Sequence, residues 1–377
     1  MRRARLGLYI SEYSERNKMD FPLPVYSVTN SQGFCQQYFN KVIASENRSM
    51  YKVVPRGCFA YNPSRINVGS IDWQRNEERV IVSPLYVVFQ TSMEMDNQFL
   101  YYYLRSDVAL TYIKNWGQGS VRDNLKFTQL SQIPINVYPI EEQQLIAQRL
   151  DVLSKLISLR QRQAEKLDEL VKARFVEMFG DPISNPHAFA RVPLSELAVI
   201  KIGPFGSLLH KEDYVHGEHA LINPSHITNG KIVIDENLTV SDEKYIELEA
   251  YQLRPGDVVL GRRGEMGRCA VVEREGYLCG TGSLLIRTNG QVTADYIQKT
   301  ISFPAYKRMI EDMAVGQTMQ NLNVPIVSKF PIVKPPLDVQ KRYYHFVHEI
   351  DCEKERIQKS AALLETLKRS LMQQYFG

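Results

Sequence analysis

From Glu141 to Phe179 the chain contains neither proline nor glycine, and its apolar residues recur in alternating steps of four and three. Ile146, Leu150, Leu153, Ile157, Ala164, Leu167, Val171 and Met178 fall on one seam, with Arg160 and Arg174 in the same register. A period near 3.5, held over about five heptads, predicts a long helix that pairs with another. Glu141 and Glu142 suit its first turn, where the helix dipole favours negative charge, and Gly180-Asp181-Pro182 stops it. About 40 residues at ~1.5 Å each give a rod of roughly 60 Å. A second seam ends the chain: Tyr343, Val347, Ile350, Lys354, Ile357, Ala361, Leu364, Lys368, Leu371 and Tyr375. Where the first seam has Arg160 and Arg174, the second has Ile357 and Leu371; where the second has Lys354 and Lys368, the first has Ile157 and Val171. Neither seam is ideal alone, so the two helices are expected to pair, through Ile146, Leu150, Leu153, Ile157 and Leu167 against Val347, Ile350, Ile357, Leu364 and Leu371.

The regions ahead of each helix read differently. Short apolar runs broken by Gly, Pro and Asn, such as Arg79–Phe89, Asp257–Leu260 and Gly282–Arg287, predict strands. Asn97–Leu110 and Asp295–Asp312 predict short helices. Ile133–Pro139 and Phe330–Pro336 are β-rich and punctuated by proline, which suits an edge strand.

The chain repeats itself. Displaced by 197 residues, Gly119–Gly180 falls on Gly316–Gly377 without a gap, and 14 of the 62 pairs are identical. Chance at average composition gives roughly four. Identical pairs include Asn124/Asn321, Leu125/Leu322, Pro134/Pro331, Gln143/Gln340, Leu167/Leu364 and Phe179/Phe376. The fold expected is α+β: two mainly-β domains with short helices, 1–140 and 181–337, separated by two long antiparallel coiled-coil helices, 141–180 and 338–377, in an internal pseudo-two-fold repeat. Antiparallel order follows from connectivity, since the first helix leaves domain one and the second returns.

Composition adds limits. Apolar residues at 44% and charged residues at 23% are ordinary globular values. No apolar stretch approaches the ~18 residues of a membrane helix, and no apolar run follows the basic residues at the start, so a cytoplasmic protein without a leader is expected. Five scattered cysteines, with no C-x-x-C pair, argue against zinc and against a disulfide framework. Net charge is only +4, distributed as +5 over 1–140 and −2 over 181–337. A polyanion partner must therefore meet the second domain at a local basic patch.

Such a patch is visible. Arg262, Arg263 and Arg268 surround the glycine turn Gly264–Gly267, where backbone can approach a ligand closely and guanidiniums can hold phosphate or guanine edges. Lys211, His226 and Asn229 lie in loops after apolar segments. In the repeated polar loop the common Gly, Asn and Leu suit a turn, a cap and an anchor. Its differing positions, Arg122 against Met319 and Lys126 against Asn323, would meet a polyanion differently in the two copies. Catalytic signatures fail: no G-x-x-x-x-G-K-[ST] loop occurs, no Gly-rich S-adenosylmethionine loop is found, and Asn62-Pro63-Ser64-Arg65 departs from the Asn-Pro-Pro-aromatic tetrad of amino-methyltransferases.

Across nearly its whole length the chain resembles the specificity subunit of type I restriction–modification systems. The resemblance rests on Tyr61–Ile71 and Gly117–Arg122 in the first half, and on Gly203–Lys211, Gly261–Arg268 and Gly316–Leu322 in the second. Pro139/Gln143 and Pro336/Gln340, doubled at one offset, complete it. It implies two target-recognition domains that each read half of a split double-stranded DNA sequence, with the helices as spacer, and it adds Arg65 and Gln317 to the expected DNA-facing residues. It further implies two modification (methyltransferase) subunits and restriction (nuclease and translocase) subunits as partners. S-adenosylmethionine, ATP and Mg²⁺ would then sit on those partners, leaving this chain non-catalytic, without metal or cofactor. Two alternatives stay open at this point. One is a fused methyltransferase–nuclease, which would itself bind S-adenosylmethionine; the other is a two-headed coiled-coil adaptor for protein or glycan, which would bind no duplex.

Overall fold

The computed structural model describes residues 2–36, 48–117, 124–314 and 321–377. The first part runs β1 (Arg2–Arg5), β2 (Ile10–Glu12), β3 (Ser27–Thr29), β4 (Gly33–Cys35), β5 (Lys52–Pro55), β6 (Phe59–Tyr61), β7 (Ile71–Trp73), β8 (Arg79–Val82) and β9 (Val87–Thr91). Then come α1 (Asn97–Leu104), α2 (Asp107–Gly117), α3 (Phe127–Leu130), β10 (Pro134–Val137) and the long α4 (Ile140–Phe179). The second part opens with β11 (Ala190–Pro193), β12 (Ala198–Ile202), β13 (Tyr214–Val215), β14 (His219–Ile222), β15 (Ile227–Thr228), β16 (Lys231–Ile232), β17 (Thr239–Val240), α5 (Asp242–Glu247) and β18 (Gln252–Leu253). It continues through β19 (Asp257–Gly261), β20 (Cys269–Val271), β21 (Tyr277–Cys279), β22 (Ser283–Thr288), α6 (Ala294–Ser302), α7 (Pro304–Ala314), α8 (Val324–Ser328) and β23 (Pro331–Lys334), and ends in α9 (Leu337–Phe376). These elements form two compact units, Met1–Ala164 with Arg356–Gly377, and Glu165–Glu355. Each long helix contributes one end to each unit.

In the first unit an antiparallel sheet runs β2-β9-β6-β7. Side chains alternate across it: Phe59, Tyr61 and Phe89 enter one cluster, Ala60 and Val88 another. The end of α9 closes the larger cluster. Phe376 packs with its ring centroid 5.3 Å from Phe99 and 5.7 Å from Tyr103. Tyr138 donates to Tyr375 O (2.9 Å) and Arg149 to Tyr375 Oη (3.0 Å), so the start of α4 lies beside the end of α9.

The second unit repeats that plan. Its sheet β12-β22-β19-β20 is antiparallel, with Val258, Leu260, Leu284 and Ile286 on one face and Val259 and Leu285 on the other. A five-stranded sheet, β13-β17-β14-β21-β18, is added. Here the end of α4 meets the start of α9. Phe179 lies 5.0 Å from Tyr296 and 5.2 Å from Tyr343, Tyr343 donates to Val171 O (3.2 Å), and Lys354 pairs with Asp168. The helix segments are thus antiparallel within each unit.

The structural repeat begins earlier than the identical residues do. The 197-residue displacement carries α1, α2, α3, β10 and α4 onto α6, α7, α8, β23 and α9. Phe376 on Phe99 in one unit answers Phe179 on Tyr296 in the other. The repeated glutamine explains itself in the same terms. Gln143 and Gln340 are fully buried. Gln143 accepts from Asp96 N (2.9 Å) and donates to Tyr138 O (2.8 Å); Gln340 accepts from Thr293 N (2.9 Å) and donates to Pro335 O (2.9 Å). Asp96 and Thr293 are the N-caps of α1 and α6, so each glutamine ties a long helix to the helix its own domain places against it.

None of the twenty seam positions is exposed. The polar ones are satisfied by neighbours. Arg174 bonds Glu177 (2.7 Å) and lies over the Phe346 ring, Arg160 bonds Gln163 (2.9 Å), and Lys368 lies over the Tyr102 ring. The predicted short helices differ from observation in one respect: each is two helices. Ser106 accepts from Ala109 N (3.2 Å) and starts α2 afresh, while Pro304 lacks the N–H that would continue α6 into α7.

Candidate nucleic-acid interface

The connection β6–β7 of the first unit and β19–β20 of the second occupy equivalent places; the first carries Arg65, and the second Arg262, Arg263 and Arg268. The repeated leucine of the polar loop anchors against them. Leu125 N donates to Pro63 O (3.1 Å) and Leu322 N to Arg262 O (3.0 Å), with Leu125 and Leu322 both buried. This brings Arg65 and Lys126 onto one surface in the first unit, both exposed. In the second it gathers Arg262, Arg263, Arg268 and Asn323. Arg122 and Gln317 lie outside the described residues.

The three arginines divide their tasks. Arg262 is half-buried and donates its Nε to Leu322 O (2.9 Å), and burial pulls its pKa down from the ordinary guanidinium value. Arg268 donates to Pro224 O (3.2 Å) and to Glu265 Oε2 (3.0 Å). Glu265 also accepts from Lys307 (2.6 Å), and these two cations, Lys307 foremost, hold its carboxyl below the usual range. Arg263 is exposed and has no side-chain partner among the described residues. The turn itself depends on glycine: Gly267 has φ of +74°, and a Cβ there would lie 2.7 Å from Lys307 Cγ.

Arg268, Glu265 and Lys307 line a cavity of about 360 Å³ with Asn229, Gly230, Gln298 and Lys299. Asn229 sits at the tip of the β15–β16 hairpin with φ of +52°, as an Asn-Gly turn requires. The cavity therefore offers an exposed amide, a paired guanidinium and two ammonium groups around one carboxylate, a set suited to a nucleotide edge and its phosphate. Sequence patterns do not mark Lys299 and Lys307. They arrive from α6 and α7, some 30 to 40 residues beyond the glycine turn. His226, expected on a loop surface, is only 5% exposed, and its Nδ1 accepts from Asn223 N (3.1 Å). Asn323 caps α8 by accepting from Ile326 N (3.0 Å). Lys211 stands exposed on the separate 3-10 turn Lys211–Asp213.

Two repeated α+β heads, each carrying a cationic turn and sharing a pair of antiparallel helices, define a two-headed nucleic-acid-recognition protein. The family described as type I restriction modification DNA specificity domain matches residues 11–169 and again 189–366, and the chain belongs to that family. It is thus a non-catalytic DNA-recognition subunit that carries no cofactor of its own. A curated relative, the type I restriction enzyme MjaVIII specificity subunit of Methanocaldococcus jannaschii, is 20% identical over 310 residues, covering 78% of this chain and 72% of the relative. The type I restriction–modification S subunit from M. genitalium has the same fold, with a TM-score of 0.57 at 16% identity over 100% of this chain and 96% of that one. A chain from a structure of the assembly and conformational transition of a type I R-M system gives 0.62 at 17% identity, over 99% and 97%. Among the described residues no helix is long and apolar enough to cross a membrane.

Proposed function

We propose that this chain reads a bipartite double-stranded DNA target, one half-site per head, 1–140 and 181–337, and that the two long helices act as the spacer between the readings. The observation that supports this best is the equivalent placement of Arg65 on the β6–β7 connection and of Arg262, Arg263 and Arg268 on β19–β20, each connection bonded by the repeated leucine, Leu125 or Leu322. Arg263 and Arg65 contact phosphate or base edges directly. Arg268, Asn229, Lys299 and Lys307 form the second head's reading cavity, with Glu265 fixing its cations. Arg262, His226 and Asn323 support that surface from within. Lys126 lies beside Arg65 at the first half-site, and Lys211 adds a peripheral phosphate contact.

The partners follow from the same reading. Two modification subunits dock on the outer faces of the long helices, and restriction subunits join through them in the cytoplasm. Leu145, Val152, Leu156 and Leu159 support this: they form an exposed stripe on the first-unit end of α4, away from the seam. The test is methylome sequencing of cells with and without the gene. A split methylated motif that disappears on deletion is expected; an unchanged methylome in cells that express the modification subunit would overturn the reading.

A further inference from the structure

In the first unit, the loop between β2 and β3 projects a methionine that the fold does not use. Asn17, 2% exposed, locks the loop from inside: its Nδ2 donates to Phe21 O (2.9 Å) and its Oδ1 accepts from Phe21 N (3.0 Å). Asn17 N donates to Tyr51 O (2.9 Å), and Arg48 N donates to Asp20 Oδ1 (3.0 Å), which ties the loop to the neighbouring segment. Asp20 adopts φ of +50°, a left-handed conformation held by these bonds, and Pro22 and Pro24 stiffen the exit. At the tip Met19 is 80% exposed and Phe21 54%. They border a groove of about 590 Å³ with Arg16, Lys18, Arg79 and Glu15. Glu15 is engaged by Tyr13 and by Arg79 (3.7 Å) and Asp20 by the Arg48 amide, and with Arg16, Lys18 and Arg79 set against Glu15 and Asp20 the loop keeps a net positive charge.

A rigid loop that holds a large apolar side chain in water, ringed by cations, has the chemistry of a wedge for stacked bases. Apolar side chains inserted at a base step unstack it, and cations on either side hold the flanking phosphates. We propose that the Asn17-locked loop is a DNA-contacting element of the first head, with Met19 inserted at one base step in or beside the first half-site and Arg16 and Lys18 on the phosphates. The proposal rests on the DNA-recognition role of the family and adds a deformation step to it. A duplex fits better than an acidic protein surface because the groove pairs its charge with two apolar tips rather than with hydrogen-bonding groups.

The test uses the full chain in complex with its modification subunits, on a duplex carrying the methylated motif. 2-Aminopurine replaces each unmethylated position of the first half-site and its flanks in turn, and binding is followed separately by anisotropy. One step should brighten several-fold on binding. Met19→Ala should return that signal to the free-duplex level, weaken binding about tenfold and leave the salt slope unchanged, whereas Met19→Leu should keep the signal. Because Met19 is so exposed, its removal should leave thermal unfolding unaltered. Binding without brightening at any position, or brightening that survives Met19→Ala, would overturn the wedge while leaving DNA recognition intact. Absence of binding by the unsubstituted complex would overturn both.

Discussion

Gln143 shows how much one buried side chain can hold. It accepts from the N-cap amide of α1 and donates to Glu94 O and Tyr138 O, both at 2.8 Å. Gln143→Leu would leave three partly buried backbone groups without their partner, a cost of about 2–4 kcal/mol. Urea unfolding should show that loss in the first unit, and Gln340→Leu a similar one in the second; a stability loss under about 0.5 kcal/mol would show that water or rearrangement replaces the clamp. The arginines call for a different experiment. Arg263 is exposed and unpaired among the described residues, whereas Arg262 bonds Leu322 O. Arg263→Ala should weaken DNA binding and lower the salt slope by about one unit with no change in stability. Arg262→Ala should act first on stability. Equal, wild-type slopes in both variants would place this turn away from DNA. The identity of Gln143 with Gln340 is plain in the sequence, but its task is not, because the amides it satisfies lie 47 residues away.

At the scale of elements, the long helices were legible because a seam periodicity needs only local sequence. The earlier half of the repeat was not. Between α1 and α6 only the apolar pattern persists, with Phe99, Leu100 and Leu104 answering Tyr296, Ile297 and Ile301. Packing preserves hydrophobicity and volume there, not identity. The helices also differ where the repeat predicts likeness. The exposed stripe of Leu145, Val152, Leu156 and Leu159 has Arg342, Glu349, Glu353 and Arg356 as its counterparts 197 residues on. If two copies of one modification subunit dock on these faces, one contact is apolar and the other ionic. Rising salt should therefore release one copy well before the other, and Leu156→Glu should remove the salt-resistant copy. Mass photometry across a salt series checks this; simultaneous release of both copies would contradict it.

For the whole molecule, the duplication is the central fact. Both units share the strand order of the main sheet, the helix that follows it, the glutamine clamp and the terminal phenylalanine, while the strands added around each sheet differ. A common frame with differing inserts is what independent reading of two half-sites requires. The cavity of the second unit was only partly foreseeable, since Arg268 and Asn229 sit in recognisable turns but Lys299 and Lys307 reach them through tertiary packing alone. The account's most direct test is exchange of residues 1–140 for the corresponding head of another family member, read out by methylome sequencing. One half of the methylated motif should change, and the other half should remain as it was. A change in both halves, in a protein that still folds and supports methylation, would show that the heads do not read independently.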